Sequence, residues 1–195
     1  MTDFSESHQP PGLGRRLIWL VPLILVLGLG GLFYRQLGHD PAIVPQATTG
    51  KPLPAFTLPS LSDNAVRTQA DLPKEPYLLN VWGSWCPTCA LEHPQLVKLA
   101  QNGVTLVGVN YKDDPEEALS YLAKKGNPFV LNLQDSEGNF GLDLGLTGAP
   151  ETFVIDRQQH IRLHLVGEVN QDVWQTRLQP CLNDLKAAKE PARCR

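Results

Sequence analysis

Cys86 and Cys89 stand three residues apart in the run Gly83-Ser84-Trp85-Cys86-Pro87-Thr88-Cys89. Two thiols at that spacing on a helical turn close a small disulfide, and exchange with another disulfide passes through a mixed disulfide that the second thiol breaks. Pro87 is a residue favoured at the first position of a helix, so the run reads as a loop feeding a helix start. There the unsatisfied backbone N–H groups and the positive end of the helix dipole stabilise a thiolate. Cys86 is therefore expected to be the nucleophile and Cys89 the resolving thiol. A structural disulfide or half of a zinc site are the competing readings. Zinc needs two further ligands, and His39, His93, His160 and His164 are scattered without metal spacing.

The elements around this run must hold it still. Tyr77-Leu78-Leu79-Asn80-Val81-Trp82, nearly all apolar and of strand length, reads as a strand buried on both faces. Behind the cysteines, Ala90 to Gln101 carries Leu91, Leu96, Leu99 and Ala100 at helical spacing, with Gly103 as its stop. Val104 to Asn110 reads as a second buried strand. Asp114-Pro115-Glu116-Glu117 then opens a helix that runs to Lys125 and ends at Gly126. Phe129 to Leu133 is strand-like, and Asn139 to Leu144 suits a short helix. Thr152 to Asp156 and His160 to Val166 flank a polar turn and predict a hairpin, with a final helix from Gln171 that Pro180 is expected to kink or end. Further upstream, Phe56-Thr57-Leu58 and Asn64 to Thr68 predict a short extra hairpin. Alternating strands and helices followed by a hairpin and helix imply an α/β domain with a mixed sheet and helices on both faces.

The chain has 195 residues, 42% of them hydrophobic, which supplies one core of ordinary size and excludes a wholly disordered chain. A formal charge of −3 provides no basic field for nucleic acid, so that class of partner is set aside. From Leu17 to Tyr34 the sequence runs 18 residues without a charge. At 1.5 Å per residue this is about 27 Å of helix, close to the hydrocarbon thickness of a bilayer. A cleaved signal peptide usually has a shorter apolar region and a small-x-small site, whereas Phe33-Tyr34-Arg35-Gln36 follows here. Residues 1–16 are thus expected in the cytoplasm, with Arg15 and Arg16 setting the orientation, 17–34 as a single-pass anchor, 35–50 as a Pro- and Gly-containing linker, and 51–195 as the exported domain. Cys181 and Cys194 lack a helix-start context, and in an oxidising compartment they read as a structural disulfide that ties down the tail.

Several segments together resemble one family. Val81 to Cys89 is similar to the active-site signature of thioredoxin-like proteins, which implies a thioredoxin-like sheet. Cys89-Ala90-Leu91-Glu92-His93, Gly108 to Asp114, Gly141 to Gly145 and Gly148-Ala149-Pro150-Glu151-Thr152-Phe153-Val154-Ile155-Asp156 resemble the membrane-anchored thiol:disulfide interchange proteins of cytochrome c maturation, the DsbE/CcmG type. The resemblance places Pro150 at the superfamily's cis-proline, with the Ala149 backbone pairing with an extended substrate. Trp85, Pro87, Thr88 and Glu92 then border the substrate, although solvated charge is the plain alternative for Glu92 and Glu151. Asn80 stands where typical thioredoxins carry a buried acid. Its amide cannot titrate, so proton handling is expected to move to Glu151.

The resemblance implies a monomeric enzyme in the bacterial inner membrane, its catalytic domain in the periplasm. It would reduce apocytochrome c cysteines, directly or through a cysteine-bearing maturation protein. No cofactor beyond the Cys86/Cys89 pair is expected, and no metal. Electrons would come from a membrane donor of the DsbD or CcdA kind. A broad-range reductase of the TlpA/ResA kind, an oxidising DsbA-like enzyme, and a non-catalytic thioredoxin-like binding module remain as alternatives.

Overall fold

The computed structural model describes residues 20–36, 48–188 and 194. Two compact units divide the chain after Pro41. In the first, α1 spans Leu20–Gln36, with the side chains of residues 22–32 exposed. Among the described residues no helix is long and apolar enough to cross a membrane. Leu17, Ile18 and Trp19, the start of the uncharged run, lie outside the described residues, as do residues 1–16 and most of the expected linker.

The second unit is built on a five-stranded mixed sheet. Its strands are β3 (Tyr77–Trp82), β4 (Leu106–Tyr111), β5 (Leu131–Asp135), β6 (Glu151–Ile155) and β7 (Ile161–Val166), in the order β5-β4-β3-β6-β7. The β3/β4 and β4/β5 pairs are parallel, and β3/β6 and β6/β7 antiparallel. A separate hairpin pairs β1 (Leu58–Pro59) with β2 (Val66–Arg67), shorter than the sequence implies. The other helices are α2 (Pro87–Gln101), α3 (Pro115–Lys125), α4 (Asn139–Asp143) and the C-terminal α5, made of Gln171–Val173, Trp174–Leu178 and Gln179–Lys186.

Side chains alternate across β3 into two cores. Leu78 and Trp82 join Leu106, Val154, Leu163 and Leu165 on one face, covered by Leu96 and Leu99 of α2, Ala118 and Leu122 of α3, and Trp174 and Leu178 of α5. Tyr77, Leu79 and Val81 meet Val107, Val109, Phe153 and Ile155 on the other, under Phe140 of α4 and the segment around Leu53 and Phe56. Both faces of the sheet are covered, which is why β3 reads as a continuous apolar run.

The dithiol helix starts at Pro87, where the helix-start signal places it, and continues through Pro94. Other boundaries differ from the expectation: strand β4 starts at Leu106, not Val104. Strand β5 starts at Leu131, because Phe129 turns inward to stack on Trp82 at 5.8 Å, and pairing in register begins only after it. Pro180 neither ends nor breaks α5. That helix proceeds from Gln171–Val173 through a π-helical turn at Trp174–Leu178 into Gln179–Lys186. The wider turn takes up the proline, which cannot donate a backbone hydrogen bond and crowds the carbonyl four residues back. Cys181 and Cys194 form the expected disulfide, both buried beside Leu182 and Leu185.

Candidate active site

The dithiol sits at the junction of β3 and α2. Cys86 is the N-cap residue of α2, and its Sγ accepts the Cys89 N–H at 3.1 Å. The two cysteines are joined in a disulfide with Cα atoms 5.3 Å apart. A sulfur that accepts a helix N-terminal amide is stabilised as an anion once the bond is reduced. Pro87 and Thr88 are exposed beside it, and Trp85 is 52% exposed with its indole N–H donating to the Tyr111 carbonyl at 3.2 Å. Trp82 is packing, sealed against Tyr121 and Phe129, and its indole N–H donates to Asn132 Oδ1.

Facing the dithiol, the Ala149–Pro150 bond is cis. The Ala149 carbonyl oxygen lies 3.4 Å from Cys86 Sγ, and the Pro150 carbonyl accepts the Gly167 N–H at 3.0 Å. Ala149 and Pro150, far from the cysteines in sequence, therefore lie against them in space. The loop under the dithiol is fixed by a residue that sequence reasoning did not single out. Asp113 accepts the Ser84 N–H at 2.6 Å, the Ser84 hydroxyl at 2.7 Å and the Asn110 amide at 2.7 Å.

Two buried acids flank the site on opposite faces of the sheet. Glu92 lies one turn beyond Cys89 on the buried side of α2, only 2% exposed. Its Oε1 accepts the Asn80 side-chain amide at 2.9 Å, and its Oε2 accepts the Val169 N–H at 2.8 Å. Burial pushes its carboxyl up to about 7, against the opposing pull of those two donors. The Asn80 amide also reaches Thr152 Oγ1 at 3.0 Å, so Asn80, Glu92 and Thr152 form one buried cluster under Cys89.

Glu151, expected to handle protons in place of Asn80, lies on the other face of the sheet from Asn80. Next to Thr152 in β6, its side chain points to the opposite face, alongside Phe153. Its Oε1 accepts Thr147 N–H at 2.7 Å, Thr147 Oγ1 at 2.6 Å and Gly148 N–H at 3.0 Å, while Oε2 accepts from His164 Nε2 at 2.6 Å. Burial is the strongest influence and raises its carboxyl, but the His164 and Thr147 bonds outweigh it and leave the group below the usual carboxylate range. On the Asn80 side of the sheet, the carboxyl that burial raises is that of Glu92. His164 is not marked out by spacing to the other histidines, and its one signal in the sequence is a polar residue inside the otherwise apolar run Leu163-His164-Leu165.

A Redoxin family model matches residues 48–177. The chain is 48% identical over 172 residues to the thiol:disulfide interchange protein DsbE of Pseudomonas aeruginosa, covering 88% of this chain and 96% of that one. It belongs to the Redoxin family, among the DsbE-type thiol:disulfide interchange proteins. The Escherichia coli K12 DsbE is 43% identical over 185 residues, covering 91% of this chain and 99% of the relative. Among solved structures, a secreted Mycobacterium tuberculosis disulfide oxidoreductase homologous to E. coli DsbE superposes with a TM-score of 0.53 at 27% identity, covering 60% of this chain and 89% of that one. A thiol-disulfide isomerase from Thermus thermophilus gives 0.54 at 26%, covering 65% and 92%. The mixed sheet is thus thioredoxin-like, and as a DsbE-type protein the chain is a thiol-disulfide oxidoreductase.

Proposed function

We propose that this DsbE-type protein is a membrane-tethered periplasmic reductant that keeps the cysteines of apocytochrome c, or of a maturation partner, reduced for haem attachment. The observation that carries the chemistry is the Cys86/Cys89 pair at the N-cap of α2 with Cys86 Sγ against the Ala149 carbonyl. The cytochrome substrate and the direction of exchange draw on the resemblance to cytochrome c maturation proteins and on the DsbE relatives. The tether draws on the uncharged run Leu17 to Tyr34 behind Arg15 and Arg16.

In the reduced protein the Cys86 thiolate attacks one sulfur of the substrate disulfide, forming a Cys86–substrate bond and releasing the first substrate thiolate. Cys89, having lost its proton, attacks Cys86 Sγ, closes Cys86–Cys89 and releases the second. Two electrons pass to the substrate, whose two thiolates take up the Cys89 proton through Glu92 and a second proton from solvent. Glu92, one helical turn from Cys89, is the base for the second step, because a carboxyl near 7 takes and returns a proton at neutral pH. An extended substrate segment pairs with the Ala149 backbone, with Trp85, Pro87 and Thr88 forming the rim. A membrane dithiol donor of the DsbD or CcdA kind regenerates the pair.

The reduction potential tests the direction. A reductant is expected below about −200 mV, and a value near the about −120 mV of strong periplasmic oxidants would reassign the protein as an oxidase. In cells, a Cys89→Ser variant should trap apocytochrome c or a cysteine-bearing maturation partner through Cys86. Recovery of many unrelated secreted proteins with unchanged holocytochrome c would favour a broad-range reductase, and recovery of none a binding module.

A further inference from the structure

We propose that His164 is a positioning residue for disulfide exchange, acting through Glu151 on the loop that sets Ala149 and Pro150 against Cys86. His164 and Glu151 are 5% and 0% exposed, and the disulfide-exchange steps above leave both unused. His164 Nε2 lies 2.6 Å from Glu151 Oε2, and stacking on Phe153 at a ring separation of 4.1 Å fixes the imidazole plane. A carboxylate only accepts, so Nε2 carries the hydrogen. The other carboxylate oxygen gathers three donors from Thr147 and Gly148, the two residues just before Ala149. The chain of contacts thus runs from β7 through one carboxylate to the backbone that lies 3.4 Å from Cys86 Sγ.

This arrangement depends on Glu151 remaining an anion in a dry site. Charge-assisted bonds hold Thr147 and Gly148 more tightly than neutral ones. Without His164, Oε2 is left buried and unpaired, and the carboxyl relieves that cost by shifting or by taking up a proton. Either response weakens the grip on Thr147 and Gly148. The loop then loses its register for an extended substrate, while Cys86 keeps the Cys89 amide at the helix start, a contact that Glu151 does not touch. Recognition should suffer and thiol reactivity should not.

The inference rests on reading the Ala149 edge as the substrate site, and steady-state kinetics on a peptide disulfide separate the two. His164→Leu, close in bulk but without a donor, should raise KM about tenfold or more, with kcat and the pH profile of Cys86 alkylation within about twofold of wild type. His164→Gln, which can return an N–H to Glu151, should recover most of that loss. If His164→Leu does not fold, Thr147→Val decides, because it removes one donor from Oε1, the other oxygen of the same carboxylate, at an exposed position: a raised KM supports the clamp and an unchanged KM overturns it. An unchanged KM in folded His164→Leu, or alkylation that slows in parallel with turnover, also overturns it. Failure of the underlying reading looks different, since Trp85→Ala at the exposed rim of the same proposed site would then leave KM unchanged as well, whereas failure of the His164 inference alone leaves Trp85→Ala with a raised KM.

Discussion

Replacing Glu92 by Gln should change how stability depends on pH, in a direction that the burial of Glu92 dictates. In the folded protein the carboxyl titrates near 7 instead of 4.5, because burial disfavours the ion more than the Asn80 and Val169 donors favour it. A group whose folded pKa is raised contributes stability that is fully present below the unfolded pKa and is lost as pH rises through the folded one. The shift from 4.5 to about 7 corresponds to about 3 kcal/mol, lost progressively between those pH values. Gln does not ionise, so it escapes this loss. Its amide nitrogen, however, must face one of the two donors, a penalty of about 1–3 kcal/mol at every pH. Urea unfolding of oxidised wild type and Glu92→Gln from pH 4.5 to 8.5 measures the difference directly, and titrating groups common to both cancel. The variant should start less stable and draw level with or overtake wild type by pH 8, a swing of about 3 kcal/mol. A difference that stays flat with pH, or that grows in favour of wild type, would refute the reasoning.

Cys86→Ser should abolish disulfide reduction, and at neutral pH alkylation mapping of the reduced protein should find Cys86 faster than Cys89, since only Cys86 caps the helix. Asp113→Ala strips three hydrogen bonds from Ser84 and Asn110 and should cost about 2 kcal/mol in chemical unfolding together with slower exchange, whereas Asp113→Asn, which keeps one acceptor, should cost less. Removing the Cys181–Cys194 bridge with paired Ala substitutions should lower stability by about 3 kcal/mol, as expected for a loop with a sequence separation of 13, and leave the reduction potential of the catalytic pair unchanged. Leu79→Ala, at a fully buried position in β3, should cost about 2–5 kcal/mol in the same unfolding assay.

The thiol chemistry was legible because its determinants are local: a strand, a loop and a proline-started helix lie within the stretch Tyr77 to Gln101. Periodicity also located every strand of the sheet, with errors confined to ends such as Phe129, where a ring finds a better partner in Trp82 than in the ladder. The surroundings of the two acids were not legible. Which face Glu151 occupies depends on the register of β6 against β3, Val81 opposite Glu151 and Asn80 opposite Thr152, and a shift of one residue would exchange their sides. The partner of Glu92 at Val169 and that of Glu151 at His164 come from the last part of the chain, beyond the reach of local pattern. Gly108 carries a similar lesson: any side chain there would collide with Asn132 and Phe129, a crowding visible only once β4 and β5 are paired.

Both disulfides are local, closing over sequence separations of 3 and 13, so neither ties distant parts of the sheet together. That task falls to the pairing of β3 with β6, which joins Leu78 to Val154 and Asn80 to Thr152. Contacts of such range form late, after the entropy of closing a long loop has been overcome. During synthesis Cys86 and Cys89 are therefore complete long before Val169 is available to Glu92 or His164 to Glu151. A chain interrupted before β7 carries the dithiol without the groups that tune and frame it, and can close Cys86–Cys89 without being able to recognise a substrate. Refolding followed by hydrogen exchange should accordingly show α2 protected before the Thr147 and Gly148 amides, with exchange activity returning on the later phase.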